Sequence, residues 1–173
     1  MGTRKNRRKT DGVLVRSAVS IDLSAINKIY NYYVLHSTCT YQEEPETLAG
    51  RRAWFARHGP KHPVVVAEVN REIVGWGSLS PYHQRSAYRR TVENSVYVHQ
   101  NHHRKGIGSL ILKELTARAR KVGHHAIIAG IDADQIASVA LHKRFGFRKV
   151  GRLEQVGFKF RRWLDVLYLE LVL

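Results

Sequence analysis

The chain's 173 residues are 43% hydrophobic and 25% charged, which suits one globular domain with a real apolar core. No apolar run is long enough to span a bilayer, and the basic start MGTRKNRRKT lacks the apolar centre of a secretory signal. Cys39 is the single cysteine, which excludes an internal disulfide and a cysteine metal site; the net charge of +15 points to anionic partners, namely nucleic acid, a membrane surface or a phosphorylated cofactor.

Basic residues lie along the whole chain, so much of that charge reads as solvated surface. The local run Arg4, Lys5, Arg7, Arg8 and Lys9 marks residues 1–10 as a basic flexible leader, with a single domain over 11–173. Residues 13–19 then read as a first strand. Asp22 and Ser24 offer N-cap side chains, and Ile26, Ile29, Tyr30 and Tyr33 follow at helical spacing to about Val34. Residues 36–41 have no helical period and read as a loop. Pro45 and Glu46 open a second helix carrying Leu48, Arg52, Phe55 and Ala56, and Gly59-Pro60 ends it.

Residues 63–69 and 73–79 read as a hairpin turning through Asn70-Arg71-Glu72. Residues 81–90 form a polar loop with Arg85, Arg89, Arg90, Tyr82 and Tyr88. A strand near 92–98 leads to a helix near 108–122, stopped by Gly123. A fifth strand at 126–131 is followed by a short helix at 136–145, and residues 147–153 and 163–173 close the chain as strands. This order implies an α/β domain with a mixed sheet. The helical crossover between the fourth and fifth strands makes that pair parallel.

One stretch carries a recognisable chemistry. From Glu93 to Gly108 the chain reads ENSVYVHQNHHRKGIG: an acidic residue, a short strand, a basic loop and a glycine-bounded turn at a helix start. Amides at a helix N-terminus lack intrahelical partners, the helix dipole is positive there, and glycine lets a ligand approach the backbone. The layout therefore cradles a phosphate. It is not a nucleotide P-loop, because the Lys-Ser/Thr ending is absent.

Gly106-Ile107-Gly108 after Val96-Tyr97-Val98 resembles the acetyl-CoA motif Gln/Arg-x-x-Gly-x-Gly/Ala of the GNAT N-acetyltransferases. The resemblance extends to the branch of phosphinothricin acetyltransferase and its amino-acid N-acetyltransferase relatives. Its matching pieces are Ile29-Tyr30-Asn31-Tyr32-Tyr33-Val34, Ser37-Thr38, Glu44-Pro45-Glu46-Thr47, Ala87-Tyr88, Thr91-Val92-Glu93-Asn94-Ser95, Leu141-His142 with Gly146-Phe147, and Gly157-Phe158-Lys159 with Trp163-Leu164-Asp165. It implies a mixed, mostly antiparallel central sheet with a splayed parallel strand pair flanked by helices.

The resemblance also implies roles. Acetyl-CoA is the co-substrate, with the backbone of Val96, Tyr97 and Val98 on its pantetheine arm. The amides of Arg104, Lys105, Gly106, Ile107, Gly108 and Ser109 hold its pyrophosphate, and Gln135 contacts it where the family usually has Asn. His103 stands at the usual Gln/Arg position. Glu93 is the candidate base, directly or through water; the alternative is a strand glutamate paired with Arg89 or Arg90. His142 is the candidate acid for the leaving thiolate, or simply a pocket-wall histidine. A backbone amide near Tyr97-Val98 meets the oxyanion.

For the acceptor, an amino-acid analogue of the phosphinothricin, methionine sulfoximine or methionine sulfone type, the candidates are Arg85, Tyr88, Lys159 and Trp163 beside Glu93. No metal is expected: His99, His102 and His103 lack an acidic or cysteine partner at ligand spacing. The resemblance implies a homodimer, and the lone cysteine fits the cytoplasm. Two alternatives stay open: the same fold acting on a protein amine or polyamine, and a basic nucleic-acid-binding module.

Overall fold

Seven strands form a single sheet in the computed structural model, which describes residues 12–173; the basic leader lies outside the described residues. The strands are β1 (Leu14–Ser17), β2 (Val64–Val69), β3 (Glu72–Pro81), β4 (Thr91–Val98), β5 (Ala126–Asp132), β6 (Arg148–Lys159) and β7 (Arg162–Val172). Their order is β1-β2-β3-β4-β5-β7-β6, and all neighbours are antiparallel except β4 and β5. Among the described residues four α-helices cover the sheet: α1 (Leu23–His36), α2 (Leu48–Ala56), α3 (Ile107–Lys121) and α4 (Ile136–Arg144).

The parallel pair is short. Thr91, Val92 and Glu93 pair with Ala126, Ile127 and Ile128, and there the ladder stops. Beyond that point β4 stays with β3 as far as Val98 opposite Gly75, while β5 stays with β7 as far as Asp132 opposite Val166. Each strand follows its outer neighbour, so the sheet forks and the inner edges lose their partners.

Side-chain alternation along the strands makes two cores. One face holds Val65, Ala67, Leu79, Val92, Ile127 and Leu169 against Ile107, Ile111 and Leu115 of α3. A Cβ on Gly77 would lie 2.6 Å from Ile111 Cγ2, so glycine lets α3 settle onto β3. The other face packs Val64, Val66 and Trp76 under Leu23, Ile26, Ile29 and Tyr33 of α1.

Several elements differ from the sequence reading. Asp22 does not cap α1: its carboxylate accepts from Arg16 Nη1 at 2.7 Å, Arg16 Nη2 at 2.9 Å and the Val19 amide at 2.8 Å, and Ser24 lies inside the helix. Helix α2 begins at Leu48, not at Pro45, because Thr47 Oγ1 caps the Gly50 amide at 2.9 Å. That start turns Arg51 inward and leaves Leu48 and Arg52 exposed. The β2–β3 turn needs only Asn70 and Arg71, both left-handed at φ 49° and 66°, so Glu72 already pairs with Val69. Strand β6 runs on through the polar stretch after Leu153, where a bulge with Gln155 at φ 53° absorbs the lost register.

Candidate active site

The fork opens a cleft of about 300 Å³ between β4 and β5. Glu93, Asn94, Ser95, Val96 and Tyr97 line it from β4, Gly130 and Asp132 from β5, and Gln135, Ser138 and His142 from the start and middle of α4; the segment Thr38 to Tyr41 closes it. The pantetheine-type edge expected at Val96 and Tyr97 is therefore on the cleft. The Val98 carbonyl is otherwise engaged, because the Tyr33 hydroxyl donates to it and His103 Nε2 lies 3.1 Å away. His103 stacks on Tyr33 with 17° between the rings, so it fastens the end of β4 to α1.

The glycine turn follows directly. Arg104 at φ 57° and Gly106 at φ 82° are both left-handed, and Gly106 sits at the N-cap of α3. Glycine holds φ 82° at no steric cost, whereas Arg104 carries a Cβ in the left-handed region. The amides that begin α3 have no intrahelical partner. Ser109 is the exception among the predicted cradle residues, because its amide donates to the Gly106 carbonyl at 3.1 Å. Lys105 Nζ donates to the Asn101 carbonyl at 3.0 Å and braces the loop. A Cβ on Gly108 would lie 3.2 Å from Leu141 Cδ2 and within contact of Val98 and Val96, so the cradle abuts both the strand and α4. Gln135 Nε2 donates to Thr38 Oγ1 at 3.2 Å and ties the start of α4 to the closing segment.

Glu93 and His142 both reach the cleft, in different electrostatic states. The Glu93 side chain is exposed to it, and no Lys or Arg pairs with it among the described residues. Arg89 and Arg90 are exposed on the neighbouring loop, so the ion-pair alternative does not form. Surrounding protein raises the Glu93 pKa above the usual carboxylate value. Gly130 stands opposite, where a Cβ would be 3.5 Å from Glu93 Oε1, so glycine leaves the carboxylate room.

His142 is 3% exposed, and both ring nitrogens are occupied. Nδ1 lies 2.8 Å from the Ser138 carbonyl, which can only accept, so Nδ1 carries the proton. Nε2 then accepts from Asn94 Nδ2 at 3.0 Å. Burial lowers the His142 pKa, so the ring is neutral at pH 7. In this geometry Nε2 has no proton to give a thiolate, and the acid role expected of His142 becomes that of an anchor for Asn94. Asn94 Oδ1 is buried and has no hydrogen-bond partner.

The acceptor residues expected from the sequence lie elsewhere. Arg85 and Tyr88 are exposed on the β3–β4 connection, where Tyr88 packs on Tyr82 and His83, and neither lines the cleft. Lys159 is 2% exposed, and its Nζ donates to the Ser37 and Thr40 carbonyls at 2.8 Å each. It holds the closing segment and presents no ammonium to a ligand. Trp163 is 62% exposed against Phe158 on the β6–β7 hairpin.

What the sequence reading missed is a second cavity of about 170 Å³ on the α1/α2 side of the sheet. Arg51, Trp54, Trp76, Ser78 and Ser80 wall it, and it shares Ser95 and Tyr97 with the first cleft. A signal was present: Trp76, Ser78 and Ser80 alternate on β3, as Glu93, Ser95 and Tyr97 do on β4, and the two sets are register partners.

The family model described as the Acetyltransferase (GNAT) family matches residues 26–147. The chain is 39% identical to the L-methionine sulfoximine/L-methionine sulfone acetyltransferase of Salmonella typhimurium over 160 residues, 92% of this chain and 94% of that protein. It is 39% identical to the phosphinothricin N-acetyltransferase of Streptomyces coelicolor over 165 residues, 93% of this chain and 96% of that protein. Its fold matches, with a TM-score of 0.90, a Salmonella typhimurium acetyltransferase structure containing its cofactor acetyl-CoA; that pair is 38% identical, with 93% of this chain and 94% of that one covered.

Proposed function

The chain belongs to the acetyltransferase (GNAT) family, and from that premise we propose that it transfers the acetyl group of acetyl-CoA to the α-amino group of a small amino-acid analogue, of the methionine sulfoximine, methionine sulfone or phosphinothricin type. The observation that carries the reading is the forked cleft with an unpaired carboxylate, Glu93, at the point where β4 and β5 part.

The residues present fit the co-substrate. The left-handed turn at Gly106 bares helix amides for a pyrophosphate, and the unpaired edge of β4 beyond Glu93 suits the amides of a pantetheine arm. The orphan Asn94 Oδ1 on the cleft wall is an acceptor for one of those N–H groups. Bound there, acetyl-CoA supplies an activated thioester carbonyl.

The chain's own part is proton and charge management. An α-amino group titrates near pH 8, so at pH 7 most acceptor is protonated and unreactive. Glu93 takes that proton, directly or through water, and its raised pKa makes it a better base than a solvated carboxylate. A backbone amide in the Tyr97 region meets the developing oxyanion. Attack is direct, with no acyl-enzyme: Cys39, the one cysteine, is half-buried on the cleft wall, and desolvation pushes its pKa up to about 11, away from thiolate.

The test is an acceptor screen read by free-thiol release from acetyl-CoA, using methionine sulfoximine, methionine sulfone and phosphinothricin beside spermidine and a peptide N-terminus. Turnover confined to the first three is the expected result; silence across them overturns it.

The assembly is proposed to be a homodimer. Val150, Leu153, Val156, Phe158, Phe160 and Trp163 are exposed apolar side chains of the β6–β7 hairpin, too many on one element for an ordinary monomer surface. Sedimentation velocity on the wild type and Trp163→Lys checks this, with loss of the dimer expected in the variant. Among the described residues no helix is long and apolar enough to cross a membrane. The cytoplasm is proposed as the site of action, in line with the reduced single cysteine.

A further inference from the structure

Arg51 is 4% exposed, yet it pairs with no carboxylate among the described residues. Its guanidinium lies over the rings of Tyr30, Trp54 and Trp76, with centroids at 4.4, 4.8 and 5.5 Å. Nε donates to Asn27 Oδ1 at 3.2 Å, and the two Nη groups have no hydrogen-bond partner among the described residues. Glu46, the acidic residue of the cavity wall, turns its Oε1 to the Thr47 amide and forms no ion pair with Arg51. A buried cation left this way is unfavourable unless something anionic completes it.

The rest of the wall agrees. Ser78, Ser80, Ser95 and Gln42 surround the cavity with small polar groups, and the Trp76 indole N–H is buried without a partner. Unmet donors around a polar hollow call for an oxygen-rich anion, and the guanidinium fork matches one in two parallel hydrogen bonds.

The cavity also has an address. Ser80 is the register partner of Glu93, Ser78 of Ser95, and Trp76 of Tyr97. Directly opposed side chains in a sheet stand about 5 Å apart. The rim of the cavity is therefore one cross-strand step from the proposed base. An acceptor with its amine at Glu93 and its oxygen-bearing head toward Arg51 would lie along this single strand face, past Ser95 and Ser78.

We propose that the Arg51 cavity is the oxyanion subsite of the acceptor, taking its carboxylate or oxo head while the amine faces Glu93. The assignment rests on the acetyl-transfer reading for the acceptor's identity, and on the cavity alone for the anion.

The experiment compares wild type and Arg51→Met with three amines: methionine sulfone, methionine, and 3-(methylsulfonyl)propylamine, which lacks the carboxylate. If the oxo head occupies the cavity, the wild type's preference for methionine sulfone over methionine collapses by about 10- to 100-fold in kcat/KM, the worth of a charged hydrogen bond. If the carboxylate occupies it, both amino acids weaken together relative to the propylamine. Unchanged kcat/KM for all three in a folded variant overturns the subsite.

A direct readout separates this from failure of the proposed activity. Trp54 and Trp76 border the guanidinium, so methanesulfonate or acetate binding there saturates a change in tryptophan emission in the wild type and not in Arg51→Met. Saturation without turnover of any amine keeps the anion site and removes the acetyl-transfer reading. Turnover with neither saturation nor a kinetic effect of the variant removes the anion site alone. If Arg51→Met does not fold, Arg51→Lys, which keeps the charge but loses the fork, carries the same comparisons.

Discussion

Replacing Glu93 by Gln tests the centre of the proposed chemistry with little change of shape. The amide keeps the volume beside Gly130, where a Cβ would lie 3.5 Å from Oε1, but it cannot take a proton. General-base catalysis supplies about 10²- to 10⁴-fold, so kcat/KM falls by that factor, equivalent to about 3–5 kcal/mol of transition-state stabilisation. Acetyl-CoA affinity, measured by titration calorimetry, stays near the wild-type value because the cradle at Gly106 is untouched. Two pH effects accompany the loss. The acidic limb of the wild-type rate profile lies above the ordinary carboxylate value, since the cleft walls around the open Glu93 carboxylate desolvate it and raise its pKa, and that limb is missing in Glu93→Gln. A raised folded pKa also means that Glu93 contributes stability only at acid pH, present below its unfolded value and lost as pH rises through the folded one. At pH 7 to 8 the variant is therefore as stable as the wild type or more so, which thermal melts report. Turnover within roughly threefold of the wild type, well short of the hundredfold floor for a lost base, refutes the assignment.

Three further outcomes follow from the same geometry. His142→Leu leaves the Asn94 amide without its acceptor and lowers stability by about 1–3 kcal/mol in chemical denaturation. Because burial lowers the His142 pKa, the wild type loses stability as pH falls from about 6.5 through the depressed folded value, and the variant lacks that segment of the acid-denaturation curve. Gly106→Ala forces an L side chain to φ 82°, destabilising by about 1–2 kcal/mol, and shows itself in calorimetry as weaker acetyl-CoA binding than any loss of Tm explains. Lys159→Met removes the donor to the Ser37 and Thr40 carbonyls, so steady-state kinetics show the acceptor KM rising more than the acetyl-CoA KM, with a loss of about 2–3 kcal/mol in stability.

The elements of the proposed donor half were legible because they are local and made of backbone. Strand, turn and helix start occupy one continuous stretch, and Gly106 and Gly108 announce a left-handed turn and a close approach that other residues do not permit. The splay of β4 from β5 came from the family resemblance, and the register shows its cause: each strand is held by its outer neighbour. What a local reading missed were matters of phase. Where α2 begins, at Leu48 behind the Thr47 cap and not at Pro45, goes with Arg51 facing the core and Arg52 facing solvent. Lys159 and Trp163 belonged to matched motifs, but a motif does not say whether a side chain points at a ligand, at a backbone carbonyl or at solvent.

The proposed acceptor half was illegible for a deeper reason. Its walls come from α1, α2, β3, β4 and the loop between the helices, and no window of sequence contains two of its unmet donors together. In a chain of net charge +15, one more arginine on a helix reads as surface. Only the pairing of Trp76 with Tyr97 and Ser78 with Ser95, under a helix phased by Thr47, reveals a cation sealed among aromatic rings. Local rules that place arginine in water and pair every buried charge fail at Arg51, on the wall of a cavity whose rim residue Ser80 is the register partner of Glu93. A fold keeps such a violation where a ligand completes it, which is why a residue the sequence reading passed over is the one that points to the proposed acceptor subsite.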